Sequence, residues 1–538
     1  TLVRGLGLKE ATALNMIDMV GIGPFIVVPL VVQDMGGPQA MLAWVAGAAL
    51  ALLDGCIWAE LGAAMPLAGG SYVFLREAYG PGRWGRLMSF LFIWQTMFQA
   101  PLVMASAAIG FAQYLGYLVP LNAVTDRAVR GGLIVFLVFL LYRRITTIGK
   151  ISMLIWVGVI ATMLWLIWGG ATHFRPELVF TYPEGAWSWS WIFFAGLGAA
   201  TVRTIYTYLG YYNVCHLGAE IKQPERNIPR SIFISIIGIA VLYLAMQTSI
   251  LGVIPWEEVK QSSFVVSTFV ERLYGAGAAN FATAMILWIA FGSLFSLTLG
   301  YSRIPYAAAV DGTFFSVFGR VHPTKHFPHV SLVALGAAAL VFAMLFRLRE
   351  VISAILAMRI LVQFVGGAVG LVVLRRRWPA ERFPYKMPLY PLPIILASVG
   401  WLAILFSTGS IEVSGIRIFF WAGGLGMMLL GASIFLFRGC ALFEWPFKEA
   451  LRTRDYALLL LAAGSSCLVL AHVYVYVMAI IAHEFPAAMP EGWKDILLSR
   501  NVGLVVSAIL TLGMFTVSVQ ERRVRTQRRA QALNGDSE

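Results

Sequence analysis

A succession of apolar runs, each about 20 residues long and separated by short polar loops, constrains this chain more than any other feature. A helix of about 20 apolar residues crosses about 30 Å of hydrocarbon. Backbone in lipid must satisfy its own hydrogen bonds, so such runs read as helices rather than open sheet. Composition agrees: 59% of the 538 residues are hydrophobic, 12% are charged, and mean hydropathy is +0.78. A soluble chain carries about twice that charged fraction. The alternation of a transmembrane barrel is absent from the sequence. The expected class is an all-α polytopic membrane protein.

Fourteen spans are expected, near residues 11–34, 39–66, 84–119, 126–142, 150–172, 188–221, 231–254, 277–311, 329–346, 351–374, 390–409, 416–437, 455–483 and 500–519. The first run contains Asp18 and continues straight into the multispan pattern, so no cleavable signal peptide is expected. Basic residues collect in alternate loops: Arg76, Arg83 and Arg86; Arg143, Arg144 and Lys150; Lys222, Arg226 and Arg230; Arg320 and Lys325; Arg375, Arg376, Arg377, Arg382 and Lys386. Arg438, Lys448, Arg452 and Arg454 follow, then Arg522, Arg523, Arg525, Arg528 and Arg529. The intervening loops hold Asp34, Glu177, Glu257 and Glu484. By the positive-inside rule both termini are cytoplasmic, in a cell inner (cytoplasmic) membrane, which requires an even span count, and fourteen satisfies it. The net charge of +13 thus lies in membrane-flanking loops and not on one compact basic domain, which argues against nucleic-acid binding.

Catalytic and metal chemistry find no foothold. Cys56, Cys215, Cys440 and Cys467 lie in or beside spans on no metal-like spacing, and none sits in an outer loop. HExxH, GxSxG and GxxxxGK[ST] are all missing, so no enzyme, cofactor or ATPase is indicated. His322, His326 and His329 have no ligand-like acid or cysteine among them, so no metal site is expected.

Two spans are interrupted. In the first, Gly21-Ile22-Gly23-Pro24 falls inside an apolar run. Glycine raises the cost of helix there, and Pro24 removes a donor. A helix broken at mid-membrane frees N–H and C=O groups that must line a cavity or pack in protein. The sixth span is longer than one crossing needs, and carries Gly196-Leu197-Gly198 and then Tyr206-Thr207-Tyr208-Leu209-Gly210-Tyr211-Tyr212-Asn213. Interrupted spans at matching places in two halves point to an inverted-repeat transporter with a midplane site. A plain kink at the first and a packing motif at the second are the alternatives.

Over residues 5–440 the chain resembles the amino acid–polyamine–organocation transporter superfamily. The matching stretches are Gly21-Ile22-Gly23-Pro24-Phe25, Ala59-Glu60-Leu61-Gly62 through Pro66 with Gly69-Gly70-Ser71-Tyr72, and Tyr208-Leu209-Gly210-Tyr211 through Pro224-Glu225-Arg226-Asn227-Ile228-Pro229-Arg230. Ser302-Arg303-Ile304-Pro305-Tyr306-Ala307 to Asp311-Gly312, and Arg375-Arg376-Arg377 followed by Phe383-Pro384-Tyr385-Lys386-Met387-Pro388, complete them. The resemblance implies a LeuT-type core: a first repeat over 11–172, a second over 188–374, and two further helices over 390–437. A linker over 438–454, interfacial through Phe443-Glu444-Trp445-Pro446-Phe447-Lys448, would lead to extra helices over 455–519 and a basic tail over 520–538. The resemblance also implies an α-amino acid held between the broken helices. Val20, Gly21, Ile22, Gly23 and Pro24, with Tyr208, Leu209, Gly210 and Tyr211, would then form the site, joined by Gln95, Ser293 and Ser296. Amides at the start of a half-helix suit a carboxylate, and freed carbonyls suit an ammonium.

Two departures stand out. Relatives often carry a lysine inside the fifth helix, where this chain has Trp156 or Val157, with Lys150 too near the helix end. The chain also has two spans beyond the usual twelve. Charges within spans are costly unless paired or hydrated, which singles out Asp18, Asp54, Arg203 and Arg359 as structural pairs or as coupling groups. Gln363 lies one turn beyond Arg359, and Gln99 shares a face with Gln95. Glu60 and His216 read as structural.

The function expected is secondary transport of amino acids, proton-coupled or by exchange. Alternatives are a polyamine or organic-cation carrier of the same fold, and an amino acid sensor that does not transport. The partners expected are a small-molecule substrate and the bilayer. Some relatives join a glycoprotein through a cysteine between the third and fourth helices, and residues 120–130 contain none. No disulfide-linked heavy subunit is therefore expected; a reducible heterodimer on a gel would refute this.

Overall fold

The computed structural model describes residues 4, 6–67, 69–142, 148–323, 327–413, 416–447, 449, 451–484 and 500–535. Arg143, Arg144, Lys325, His326 and Lys448 lie outside the described residues, as do the side chains of Lys150, Trp156, Ser296, Glu484, Arg528 and Arg529.

Helix forms wherever the sequence supplies an apolar run. Pro38–Ala64, Trp84–Leu118, Pro224–Leu251, Ala276–Val310, Leu348–Arg377, Phe420–Leu442, Thr453–Val475 and Asn501–Gln527 are each long and apolar enough to cross a membrane. Leu8–Met19 and Gly23–Met35, bent by 50° at a short break, are together long and apolar enough for a further crossing. Val157–Thr172, His329–Leu345 and Leu392–Ser407 are shorter apolar helices, while Ala123–Leu141 and Trp191–Tyr208 occupy the fourth and sixth expected spans. The chain is a multi-pass helical membrane protein.

Local chemistry moves several expected boundaries. The seventh span begins at Pro224 rather than near 231, because proline in a first turn lacks only a donor that would be orphaned anyway. The last helix runs from Arg500 to Gly535, so the segment read as a tail is helical that far; its Arg, Gln and Ala are strong helix formers. Helix is not quite the whole story. Ser410–Val413 pairs antiparallel with Ile416–Phe419 between the eleventh and twelfth spans, with Ile411 opposite Ile418, β-branched residues that suit a pleated pair.

The segment read as interfacial is partly internal. Phe447 is 1% exposed and packs with Phe437, Cys440 and Leu459. The Trp445 ring meets that of Trp84 edge-on at 5.1 Å. Arg522 explains the inward turn. Its guanidinium donates to the carbonyls of Cys440 (2.9 Å), Phe447 (2.8 Å) and Glu449, and lies over the Phe443 ring.

The first four spans each pack on the span five places further along. Gly23–Met35 lies on Trp191–Tyr208, Met41–Ala64 on Pro224–Leu251, Trp84–Leu118 on Ala276–Val310, and Ala123–Leu141 on His329–Leu345. The second half of the first span and the part of the sixth beside its break lie inside the bundle, whereas Trp191 and Ile192 at the start of the sixth are exposed. Phe25, Val27, Val28 and Val31, with Ile205, Tyr208 and Tyr211, are fully buried, as befits helices apolar on every side.

Charges inside this bundle are neutralised by partners. Asp34, read above as a loop acid, sits buried at the end of Gly23–Met35, 2.7 Å from Arg349 Nη1 and 3.4 Å from Arg203 Nε. Glu60 is fully buried and accepts from Arg375 Nε (2.6 Å), Arg375 Nη2 (2.7 Å) and the Met387 N–H (2.9 Å). This pair ties the second span to the end of the tenth and to the loop that follows. Removing one partner of a buried pair costs about 3–5 kcal/mol, whereas an exposed pair contributes under about 1 kcal/mol. Glu60→Ala is therefore expected to lower the thermal midpoint of the purified protein clearly. Glu412→Ala, whose contact with Arg417 is more than half exposed, should leave it nearly unchanged.

Candidate substrate-binding site

The two interrupted spans meet backbone to backbone. Leu8–Met19 closes at Val20, whose N–H bonds to the Met16 carbonyl at 2.9 Å. Helix resumes at Gly23 with Pro24 in its first turn. Pro24 therefore starts the second half and breaks no established turn. In the sixth span Trp191–Tyr208 ends at Leu209, which is extended, and helix resumes at Asn213. Gly210 between them has φ +126°, a region open mainly to glycine. A Cβ at this position would stand 2.8 Å from the carbonyl carbon of Asp18 and 2.9 Å from the Met19 nitrogen. Glycine is thus required both for the turn and for the approach of the second break to the first.

Polar side chains lock this approach. Asn213 Nδ2 donates to Asp18 Oδ2 at 2.8 Å, and the Val214 N–H donates to Asn15 Oδ1 at 2.9 Å. Asn15 and Asp18 are three residues apart on one helix face, which is why both reach the restart of the sixth span.

Between the breaks lies a small cavity of about 60 Å³. Among the residues expected from sequence, Asp18, Gly21, Ile22, Gly23, Leu209, Gly210, Ser293 and Arg359 line it. The third and eighth spans close its sides. A Cβ on Gly21 would stand 2.8 Å from Ser293 Oγ, and one on Gly23 would stand 3.3 Å from both Tyr206 and Thr207. The Ser106 and Tyr206 hydroxyls bond to each other at 2.8 Å, and Gln99 donates to the Tyr301 hydroxyl at 3.2 Å.

Other expected residues lie behind this lining. Val20, Pro24, Tyr208 and Tyr211 are buried beside the breaks without facing the cavity, and Gln95 is buried away from it. Tyr208 donates to the Trp44 carbonyl at 3.2 Å. Asp54 is fully buried and accepts from Trp58 Nε1 (2.7 Å), the Tyr211 hydroxyl (2.5 Å) and Trp401 Nε1 (3.0 Å). Arg203 is turned toward Asp34, and it donates to Ser353 Oγ at 3.1 Å. The Ser296 side chain lies outside the described residues.

Arg359 differs from Arg203. It ends the helix Leu348–Arg359, just before a wide π turn over Ile360–Val365, and such turns gather at functional sites. Its Nε donates to Gln363 Oε1 at 3.0 Å and its Nη2 to the Tyr212 hydroxyl; Gln363 in turn donates to Ser71 Oγ at 3.4 Å. Among the described residues no carboxylate pairs with it directly. The cavity thus presents one acid, Asp18, one guanidinium, Arg359, and main-chain groups freed at both breaks. Such a lining is complementary to a small zwitterion. Among the described residues no group of three His, Cys, Asp or Glu is placed to hold a metal ion.

Sequence reasoning missed several lining residues. Met19, Tyr206, Thr207, Tyr212 and Asn213 flank the breaks and were within reach of a wider window. Leu297 and Tyr301 continue a four-residue stripe from Ser293, which was legible as spacing although nothing in it marked the cavity side. Val103, Ser106, Ala107 and Ile355 carry no sequence signal of their own.

Comparison with known proteins identifies the family. The family model for amino acid permeases matches residues 6–432. The chain is 26% identical over 420 residues to the serine/threonine exchanger of Bacillus subtilis (strain 168), covering 76% of this chain and 91% of that protein. It is 27% identical over 402 residues to cationic amino acid transporter 4 of Mus musculus, covering 70% of this chain and 60% of the relative. It is also 27% identical over 321 residues to the aspartate-proton symporter of Bacillus subtilis (strain 168), covering 56% and 59%. The chain spans about three fifths of these last two relatives and nearly all of the first. With its match across most of the chain, this protein belongs to the amino acid permease family.

Proposed function

We propose that this chain is a secondary active transporter that carries amino acids across the cytoplasmic membrane by alternating access. The observation that carries the proposal is Gly210 seated on the Asp18–Met19 backbone, which brings both breaks to one cavity. The relatives named above are amino acid exchangers, transporters and symporters. In this reading residues 11–172 and 188–374 are inverted repeats within fourteen spans, and both termini are cytoplasmic. The packing of each of the first four spans on the span five places later is what such a repeat produces. The substrate carboxylate meets the amides opening Gly23–Met35, at the positive end of that half-helix. The ammonium lies toward Asp18 and the freed carbonyls.

The side-chain end of the substrate faces Arg359. A buried guanidinium without a carboxylate partner favours an anionic or amide-bearing side chain and opposes a polyamine or other organic cation. Gly23→Leu is expected to abolish binding while membrane insertion stays intact, because the new side chain enters the cavity beside Tyr206 and Thr207. Near-normal uptake by this variant would move the site elsewhere.

For coupling, the geometry favours Asp18 over Asp54. Asp18 lines the cavity, where solvent and substrate reach it, whereas Asp54 is enclosed by Trp58, Tyr211 and Trp401. Proton-linked transport through Asp18 predicts that an inward-directed pH gradient accelerates uptake into proteoliposomes lacking internal amino acid. That acceleration should vanish in Asp18→Asn and persist in Asp54→Asn. Uptake that ignores the gradient yet rises with preloaded amino acid would identify an exchanger instead, and uptake by neither route would indicate a sensor.

A further inference from the structure

We propose that Tyr243, on the seventh span, is a positioning residue that holds the Met19 and Thr207 carbonyls as a paired acceptor for a primary ammonium group. The proposal rests on the transport reading above, and it assigns the ammonium end of the site to a residue outside the cavity lining. Met19 is the last residue of Leu8–Met19, and Thr207 is the penultimate residue of Trp191–Tyr208. Helix ends leave their last carbonyls without intrahelical donors. Among the described residues no main-chain N–H outside the helices bonds to either one. The Tyr243 hydroxyl does, at 2.9 Å from the Met19 oxygen and 3.1 Å from the Thr207 oxygen. One side chain thus spans both breaks, and Met19 and Thr207 both line the cavity.

The donor count gives the arrangement its chemistry. A phenol carries one hydrogen, while two carbonyls offer four lone pairs. Tyr243 can satisfy one carbonyl at a time, and a buried polar group left short of partners is costly. A primary ammonium brings three further donors and completes both carbonyls. Tyr243 itself is fixed: fully buried, its ring lies 5.4 Å from Trp44 and 5.3 Å from Tyr208 between centroids. A rigid phenol holds the two oxygens in register at no conformational cost when the ligand arrives.

The test compares dissociation constants of the best-bound amino acid and its des-amino analogue, on the unchanged protein and on Tyr243→Phe. Phenylalanine keeps the ring packing and removes only the oxygen. The expected result is about a tenfold loss for the amino acid and little change for the analogue, so the preference for the amine shrinks about tenfold. An equal loss for both ligands, or no loss, would overturn the role of Tyr243. Should the variant fail to fold, the N-trimethyl form of the same amino acid is measured on the unchanged protein. That ligand keeps the charge without any N–H, so it should bind at least tenfold more weakly, and equal binding would overturn the acceptor pair. If no amino acid binds the unchanged protein, the transport reading fails and this proposal falls with it; binding with an unaltered amine preference overturns this proposal alone.

Discussion

Everything in this structure depends on the need to satisfy backbone groups where two helices stop inside the membrane. Hydrocarbon offers no partner for a freed carbonyl or amide, so a broken span survives only where protein supplies one. Here the two breaks supply each other. Gly210 lets the second backbone approach Asp18 and Met19 with no side chain between them, and Asn15, Asp18 and Asn213 tie the restart of the sixth span to the first. Tyr243 then bonds to a carbonyl from each break. The cavity is the space this mutual bracing leaves.

The electrostatics follow the same logic. Charges that only hold the bundle together have been given partners away from the cavity: Asp34 with Arg203 and Arg349, Glu60 with Arg375. Asp54 takes three hydrogen bonds from two tryptophans and a tyrosine, one of them the residue after Gly210. These contacts join the second, sixth and eleventh spans behind the site. Asp18 and Arg359 are the charged groups left facing the cavity, each held by a neutral amide side chain, Asn213 and Gln363. A neutral partner fixes orientation without cancelling charge, and charge is what a zwitterionic ligand requires.

The last two helices are attached by a different device. Thr453–Glu484 and Arg500–Gly535 pack on each other and on Phe420–Leu442. Arg522 caps the end of Phe420–Leu442 by donating to the Cys440 carbonyl in its last turn, and it holds the loop beyond through the Phe447 carbonyl. Its guanidinium lies over the Phe443 ring, 4.1 Å from the centroid, in a cation–π contact. One arginine from the basic stretch thus serves packing, while its neighbours Arg523 and Arg525 remain exposed.

Apolar run length, with the alternation of a barrel absent, determined that the chain crosses a membrane repeatedly as helices, because helix is then the one arrangement that satisfies its own backbone in lipid. The glycines and the proline of the first span, and the lone Gly210, located both breaks, since their backbone preferences are local. Loop charge could be counted without a structure, but pairing could not. Asp34 read as a loop acid and proved to be a buried partner of Arg203, while Arg203 and Arg359 looked alike in sequence and face different surroundings. Tertiary structure alone decided which face of each span lines the cavity: it admitted Ser106, Tyr301 and Ile355 and set Gln95, Tyr208 and Asp54 behind the wall. The reason is physical. In a helix apolar on every side, periodicity carries no mark of orientation, so rotation about the axis is set only by the neighbours it packs against.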